Sequence, residues 1–198
     1  MELTFDAKKT AIVVIDLQRG IVGRDPAPHS GPDVVARAAS LCRAVRAAGG
    51  TVVLVHVTPS ADGKDALNML SDSPAVTPAE RPADWADLMP ELGAQPTDIF
   101  ITKRQWGAFY GTELDLQMRR RGVNTIILCG ISTNIGVEST ARDAYERGYT
   151  QVFVEDATSA RSAEEHAFVM RTSFPRMGRV RSTVEVLDAL GAAPRPHE

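Results

Sequence analysis

Two charged side chains stand directly after apolar segments that have the length and composition of buried strands. Asp16 follows five apolar residues, and Lys103 follows the segment Asp98–Thr102. A carboxylate withdrawn from water has a raised pKa, and a cation beside it lowers that pKa again, so these residues could carry acid–base chemistry. Two simpler interpretations stay open here: Asp16 could cap a loop or a helix, and Lys103 could be a solvated charge at a strand end.

Lysine is a rare choice in this chain. The chain has 22 Lys and Arg residues, and the lysines among them are Lys8, Lys9, Lys64 and Lys103. Arginine therefore serves wherever a surface cation suffices. A lysine at the end of a central strand indicates a need for a compact ammonium whose pKa can be tuned.

The segment Gly130–Gly136 joins an apolar strand to a helix. Backbone N–H groups at such a junction can hold an anion or a developing oxyanion, although a tight turn without a function would have a similar sequence. The segment is neither followed by Gly-Lys-Ser/Thr nor spaced as Gly-x-Gly-x-x-Gly, so no nucleotide-binding motif is present.

Apolar strand-like segments alternate with helical patterns along the chain. The predicted strands are Thr10–Ile15, Thr51–Val57, Asp98–Thr102, Thr125–Cys129, Thr150–Val154 and a short one at Val180, with Glu155 and Asp156 following the fifth. The predicted helices are Asp33–Ala48, Thr112–Arg121, Asn134–Arg147, Ser162–Ser173 and Ser182–Leu190, together with a short one around Trp85.

Strands that are apolar throughout, each followed by a helix, predict an α/β fold: a three-layer α/β/α, Rossmann-like doubly wound sheet of about six mostly parallel strands. Ligands of such sheets bind beyond the carboxyl ends of the strands, where Asp16, Lys103 and Gly130–Gly136 lie. Residues 1–191 are expected to form a single domain and residues 192–198 a frayed tail. The long proline-containing stretch 58–97 is expected to cover the site or a partner subunit.

The composition excludes several classes of protein. A chain of 198 residues with a net charge of -3 suits one domain and argues against a nucleic-acid partner. No apolar run approaches the roughly 18 to 20 residues of a membrane helix, and the first ten residues contain no signal-peptide stretch. Two cysteines are too few for a disulfide framework. We therefore expect a soluble, cytoplasmic protein with no membrane partner.

The histidines are weak signals. His29 lies in a proline-containing loop near Asp16 and could face the site, whereas His56 ends a strand and is best interpreted as a satisfied edge histidine. His166 lies on a predicted helix. Their spacing does not suggest a metal site, and no cofactor is predicted.

Three blocks of the sequence resemble the isochorismatase-like hydrolase family, also called the cysteine hydrolase superfamily. They are VVIDLQ at the end of the first strand, KRQWGAFYGTEL from Lys103 and LCGISTNIGVESTARDA from Leu128. The blocks occur in family order, and the similarity extends over nearly the whole chain. The resemblance implies a Rossmann-like α/β/α domain, a hydrolase activity on a small-molecule substrate and a homo-oligomer, dimeric or tetrameric.

Most members of that family use an Asp, a Lys and a Cys. Asp16 matches the Asp and Lys103 the Lys, but Gly136 stands at the Cys position, so the thiol nucleophile is absent. Cys129 and Cys42 are expected to be buried and inert. The resemblance also implies a cis peptide bond between Ile131 and Ser132.

True isochorismatases resemble this chain in having Gly at that position. Their reaction hydrolyses a vinyl ether: a carboxylic acid protonates the enol-ether methylene, and water captures the oxocarbenium ion. The resemblance thus implies Asp16 as general acid, with Lys103 and Arg104 holding an anionic substrate and Gly136 leaving room for it. Further residues expected to bind substrate are Gln18, Trp106, Phe109, Ser132, Thr133 and Asn134, with core packing the alternative for Phe109.

Two alternatives remain open from the sequence. In the first, the protein hydrolyses a C–N (amide) bond with water in place of the thiol, using Asp16 as base and the N–H groups near Ser132 and Gly136 as an oxyanion hole. In the second, the protein is a non-catalytic binding or assembly module. A wide separation of Asp16 from Lys103, or a filled pocket, would favour the second alternative.

Overall fold

A six-stranded sheet forms the centre of the protein, which a computed structural model describes over residues 3–67, 69–72 and 81–191. Its strands are β1 (Thr10–Ile15), β2 (Thr51–Val57), β3 (Ile99–Lys103), β4 (Thr125–Ile131), β5 (Thr150–Ser159) and β6 (Arg179–Arg181). All neighbouring strands are parallel, in the order β3-β2-β1-β4-β5-β6. The order reverses direction beside β1, as in a doubly wound sheet.

Strand β1 lies inside the sheet and is buried along its whole length. Ile12 and Val14 belong to the apolar layer on one face of the sheet, and Val13 and Ile15 to the layer on the other face. Because successive side chains of a strand point to opposite faces, a strand covered on both sides must be apolar throughout. This arrangement confirms the predicted three-layer α/β/α fold.

Six α-helices cover the two faces of the described sheet. They are α1 (Arg19–Val22), α2 (Gly31–Ala47), α3 (Leu114–Arg120), α4 (Glu138–Glu146), α5 (Ala163–Thr172) and α6 (Thr183–Gly191). Local capping sets several of their first residues. Ser30 and Ser162 cap α2 and α5 by accepting hydrogen bonds from the N–H groups of Asp33 and Glu165, and Ser182 with Glu185 forms the predicted capping box of α6.

The boundaries of two predicted strands were wrong. β4 continues to Ile131 and β5 to Ser159, and their register shifts between Leu128 and Gly130. Asp156 therefore lies within β5, where it pairs with Arg37 and accepts hydrogen bonds from Thr183, so Glu155 and Asp156 do not leave the sheet at the site. Short polar stretches are hard to place by pattern when a bulge lets the strand continue past them.

The helix predicted from Asn134 is built differently. A π-helix spans Thr133–Val137, and α4 follows it directly. The helix expected around Trp85 is also wrong: the N–H groups of Trp85 and Asp87 donate to the carbonyls of Pro82 and Asp84, which closes two successive turns. Helix α3 begins at Leu114, whose N–H donates to the Thr112 hydroxyl.

The described part of the stretch 58–97 packs against the carboxyl edge of the sheet. Backbone hydrogen bonds of 2.9–3.0 Å join Arg19 to Asp87, Gly20 to Trp85 and Met89 to Leu17. This segment therefore covers the residues that follow β1. The predicted tail, residues 192–198, lies outside the described residues, and the described helices include none long and apolar enough to cross a membrane.

Candidate active site

Asp16 and Lys103 meet at the carboxyl edge of the sheet. Asp16 directly follows β1 and Lys103 ends β3, and the lysine side chain reaches past β2, which lies between those strands. Lys103 Nζ lies 2.7 Å from Asp16 Oδ2, and the two side chains are only 2% and 7% exposed. The structure thus brings together the two residues that the sequence singles out first.

The ammonium group of Lys103 has a full set of hydrogen bonds. Besides Asp16, it donates to the carbonyls of Gln105 at 3.1 Å and Trp106 at 2.9 Å. An ammonium has three N–H donors, so none remains for a substrate carboxylate. This corrects the expectation that Lys103 holds the substrate: its observed contacts position and polarise Asp16.

Burial and the neighbouring cation act on the pKa of Asp16 in opposite directions. Burial raises its pKa to about 6, although the Lys103 ammonium and, more weakly, His56 act to lower it. Its other oxygen, Oδ1, is buried and has no hydrogen-bond partner among the described residues. The backbone of Asp16 has a positive φ of 53°, and its N–H donates to the carbonyl of Val55. A carboxyl group with one oxygen held and the other unsatisfied is arranged to exchange a proton.

Gly136 lies against this pair. A Cβ at this position would lie 3.1 Å from Asp16 Oδ2, 3.5 Å from Lys103 Nζ and 3.0 Å from Ile15 Cγ2. Any side chain at position 136 would thus touch both charged groups. Contacts of 3.0 and 3.1 Å are closer than ordinary Cβ packing, so the space beside Asp16 at this position is tight even for a methyl group. Glycine therefore lets the backbone lie beside the pair without displacing it.

The junction between β4 and the π-helix has an unusual backbone. The peptide bond between Ile131 and Ser132 is cis, as the resemblance implies, and Gly130 has a φ of 125°. A Cβ at Gly130 would lie 2.1 Å from the carbonyl oxygen of Ile15, so only glycine fits beside β1. The Ser132 carbonyl accepts from the N–H groups of Ile135 and Val137, and these two donors are therefore occupied.

A second buried polar contact, between Thr133 and His166, joins the π-helix to α5. Thr133 Oγ1 is 2.9 Å from His166 Nδ1, and both residues are buried. Asn134 Oδ1 and His166 Nε2 are buried without partners among the described residues. The sequence treats His166 as a weak signal. Its helical spacing with the buried Val169 and Met170 is the one pattern that indicates its burial.

Gln18 acts as a brace rather than a free polar group. It is fully buried, its amide nitrogen donates to the carbonyls of Val57 and Trp85, and its oxygen accepts from the N–H of Val57. These bonds tie the residues after β1 to the end of β2 and to the covering segment. The expected contact of Gln18 with substrate has no support in this arrangement.

The aromatic and basic residues after β3 have separate environments. Arg104 pairs with Asp65 at 2.8 Å and donates to the Thr58 carbonyl at 2.6 Å. Trp106 is 60% exposed, and only its carbonyl contacts Lys103. Phe109 belongs to the core, with its ring centroid 5.8 Å from that of Tyr149, which is the packing role that the sequence leaves open.

His56 and both cysteines offer no free reactive group to the pair. His56 bonds through Nδ1 to the Ala86 carbonyl and through Nε2 to the Thr102 hydroxyl, as expected of a satisfied edge histidine. Burial raises the pKa of Cys42 to about 12 and that of Cys129 well above its usual value, so both are inert thiols. Within the described ranges, His, Cys, Asp and Glu form no group suited to a metal ion.

The fold and the buried carboxyl–ammonium pair together define an α/β/α protein with a candidate site at the carboxyl edge of a doubly wound sheet. The Isochorismatase domain model matches residues 10–185. The chain therefore belongs to the isochorismatase family and is a hydrolase, as its sequence blocks indicate.

Known relatives cover nearly the whole chain. The isochorismatase family protein YecD of Escherichia coli O157:H7 is 53% identical over 189 residues, which are 95% of this chain and 100% of YecD. A solved isochorismatase family protein from Burkholderia thailandensis has a TM-score of 0.92 and 45% identity, covering 97% of this chain and 100% of that one. Ureidoacrylate amidohydrolase RutB of Methylorubrum extorquens is 33% identical over 181 residues, 79% of this chain and 72% of RutB.

Proposed function

We propose that this protein hydrolyses a small anionic enol ether, such as isochorismate, without a cysteine nucleophile. The observation that carries the proposal is the contact of Gly136 with the Asp16–Lys103 pair. The Cys position of the family falls on Gly136 by resemblance, and a Cβ there would lie 3.1 Å from Asp16 Oδ2, so the backbone of Gly136 lies directly beside the acid with no side chain at that position. A reaction that begins with protonation of carbon needs an acid and space, and it needs no thiol.

In this mechanism Asp16 donates its proton to the methylene carbon of the enol ether. The carbon–carbon double bond supplies the electron pair, and the resulting oxocarbenium ion is captured by water. The proton lost by that water restores Asp16, and the hemiketal collapses to pyruvate and the hydroxylated ring. Lys103 stabilises the carboxylate that forms in the first step, because its Nζ lies 2.7 Å from Asp16 Oδ2.

The anionic part of the substrate needs a cation other than Lys103. Arg104 is the candidate, because its guanidinium is partly exposed and its Nε–H and one Nη–H hold Asp65 and Thr58, leaving further N–H donors. Trp106, Ser132, Thr133 and Asn134 complete the proposed substrate contacts. Gln18 contributes indirectly through its buried hydrogen bonds, and Phe109 contributes through its packing in the core.

The direct test is incubation with isochorismate and measurement of pyruvate release. We expect turnover by the wild-type protein and a loss of at least about 100-fold for Asp16→Asn, since general acid catalysis contributes about 10²- to 10⁴-fold. Asp33→Asn, on the exposed start of α2, is the matched control and should retain full activity. Absence of pyruvate above background from folded protein at high concentration would refute the proposed substrate.

A second candidate function is amide hydrolysis by an activated water, favoured by the 33% identity to ureidoacrylate amidohydrolase RutB. Asp16 would then act as a base, and Gly136→Cys should create or strengthen activity on ureidoacrylate by restoring a nucleophile. The occupied N–H groups of Ile135 and Val137 leave fewer donors for an oxyanion than the sequence indicates. No activity on ureidoacrylate from either protein would count against this candidate.

One observation argues against the non-catalytic alternative, and one supports it. Asp16 and Lys103 are hydrogen-bonded, as working residues require. In its favour, two surface depressions of about 300 and 200 Å³ are lined by residues that include Arg142 and Arg46 and neither member of the pair. Pyruvate release that depends on Asp16 decides between these alternatives.

A further inference from the structure

Five buried side-chain polar atoms have no hydrogen-bond partner among the described residues: Asp16 Oδ1, Asn134 Oδ1, Gln151 Oε1, Glu165 Oε2 and His166 Nε2. Four of the five belong to residues on the segments that come after β1, β4 and β5 in the chain. Buried polar groups nearly always have partners, so each such atom is a candidate contact for another molecule.

His166 is the most deeply buried of these residues apart from Gln151. It is 2% exposed and lies in the first turn of α5, where Thr133 of the π-helix bonds to its Nδ1. The π-helix thus connects two sets of groups: Thr133 at its start contacts His166, and Gly136 near its end contacts Asp16 and Lys103. The unsatisfied Nε2 atom therefore belongs to the same junction as the proposed acid.

The hydrogen bond to Thr133 defines what Nε2 can do. The Thr133 hydroxyl is completely buried, and His166 Nδ1 is the hydrogen-bond partner that it has among the described residues. If the hydroxyl donates to Nδ1, a neutral imidazole must carry its proton on Nε2. Nε2–H is then a buried donor that lacks an acceptor.

The imidazole is also held in its neutral form. Burial, with a smaller effect from His29, lowers the pKa of His166 to about 4, and the His29 ring lies 5.9 Å away in an edge-on arrangement. A neutral N–H donor recognises an acceptor oxygen through direction and distance rather than through charge. It suits a carbonyl, hydroxyl or carboxylate oxygen.

We propose that His166 is a substrate-binding residue, which donates from Nε2 to an acceptor oxygen on the part of the substrate that lies away from Asp16. This inference rests on the proposed function for the location of the site. It adds a specificity contact that Asp16, Lys103 and Gly136 do not provide. The contact is made on binding, so it should affect KM more than kcat.

The test measures binding in Asp16→Asn protein, which cannot consume the ligand by the proposed route. Isochorismate and ureidoacrylate are the two probes, and the readouts are calorimetric affinity and the imidazole ¹⁵N shifts of His166. We expect one probe to shift the Nε2 signal, and His166→Phe in the same background to weaken its binding about threefold to tenfold. His166→Gln, whose amide can still donate, should lose less than the phenylalanine variant.

Gln151→Met is the matched control. It also removes a buried polar side chain with an unsatisfied oxygen, but its amide bonds to the carbonyls of Ala141 and Met177, outside the site. It should lower the melting temperature without changing affinity. Unchanged His166 shifts with both probes, or equal affinity in folded Asp16→Asn and Asp16→Asn/His166→Phe proteins, would overturn the inference. Failure of pyruvate release alone would refute the proposed reaction, while the ureidoacrylate measurement would still test His166.

Discussion

Two buried titratable residues, Asp16 and His166, differ in the kind of partner that each has. Asp16 is paired with an ammonium at 2.7 Å, yet burial still raises its pKa to about 6. His166 bonds to a neutral hydroxyl at 2.9 Å, and burial lowers its pKa to about 4. Both groups are therefore driven towards their uncharged forms, but only Asp16 has a partner that permits it to ionise.

The difference separates a group that can change charge from one that cannot. When Asp16 loses a proton, Lys103 offsets the cost of burying the carboxylate. A protonated His166 would have no such partner among its observed contacts, so it remains a fixed hydrogen-bonding group near neutral pH. The same low-polarity edge of the sheet thus provides one proton-transfer group and one recognition group.

Removing the Lys103 ammonium is expected to have the largest effect. Lys103→Met would leave Asp16 buried without its cation, so that the carboxyl group must take up a proton or be ionised alone, and would unpair the carbonyls of Gln105 and Trp106. We expect a loss of about 3 kcal/mol in the free energy of unfolding at pH 7, and a smaller loss near pH 4, where Asp16 is neutral. Urea unfolding at both pH values measures this. Lys64→Met, at a lysine 85% exposed, should change little at either pH; an equal loss in the two variants would contradict the pairing.

The pH dependence of kcat/KM tests whether Asp16 works as an acid. Because the pKa of Asp16 is about 6, an acid role predicts that kcat/KM falls about tenfold per pH unit above pH 6. A base role predicts a rise to a plateau over the same range. The profile for pyruvate release between pH 4.5 and 8 distinguishes the two, and a flat profile would exclude Asp16 from both roles.

Adding a side chain at Gly136 should lower activity and stability moderately. The added methyl of Gly136→Ala would lie 3.1 Å from Asp16 Oδ2 and 3.0 Å from Ile15 Cγ2, so we expect about a tenfold fall in kcat/KM and a loss of about 1–3 kcal/mol in the free energy of unfolding. Gly23→Ala is the control, since its Cβ meets only the Arg19 carbonyl at 3.6 Å. Full activity of folded Gly136→Ala would show that the close approach of Gly136 to Asp16 is not needed.

The last expected effect concerns stability in mild acid. Unfolded chains protonate His166 below about pH 6.5, whereas the folded protein resists this down to about pH 4, so His166 should reduce stability as the pH falls between those values. Asp16 acts in the opposite direction, because the folded protein retains a proton between about pH 4 and 6 that unfolded chains have lost. The difference between wild type and His166→Phe should change by on the order of 2 kcal/mol across this window. A constant difference in thermal unfolding measurements would contradict the lowered pKa.

The elements that could be predicted well are those with strong local signals. β1 and β2 have their predicted limits because unbroken apolar, β-branched residues stop at polar ones. The capping box of Ser182 and Glu185 likewise places the start of α6 within a residue. The ends of β4 and β5 could not be found in this way, since the register shift beside Gly130 depends on the neighbouring strand.

The candidate site likewise has features that could be predicted from the sequence and features that could not. The order of residues along the chain is enough to place Asp16 and Lys103 at one edge, because parallel strands point their carboxyl ends in one direction. The packing of the layers was needed to establish that Lys103 reaches past β2, that its donors are all used, and that Gly136 touches both groups. The burial of His166 likewise follows from the packing of α5 on the π-helix. Distances between residues far apart in the chain depend on how layers pack, and local patterns carry no information about them.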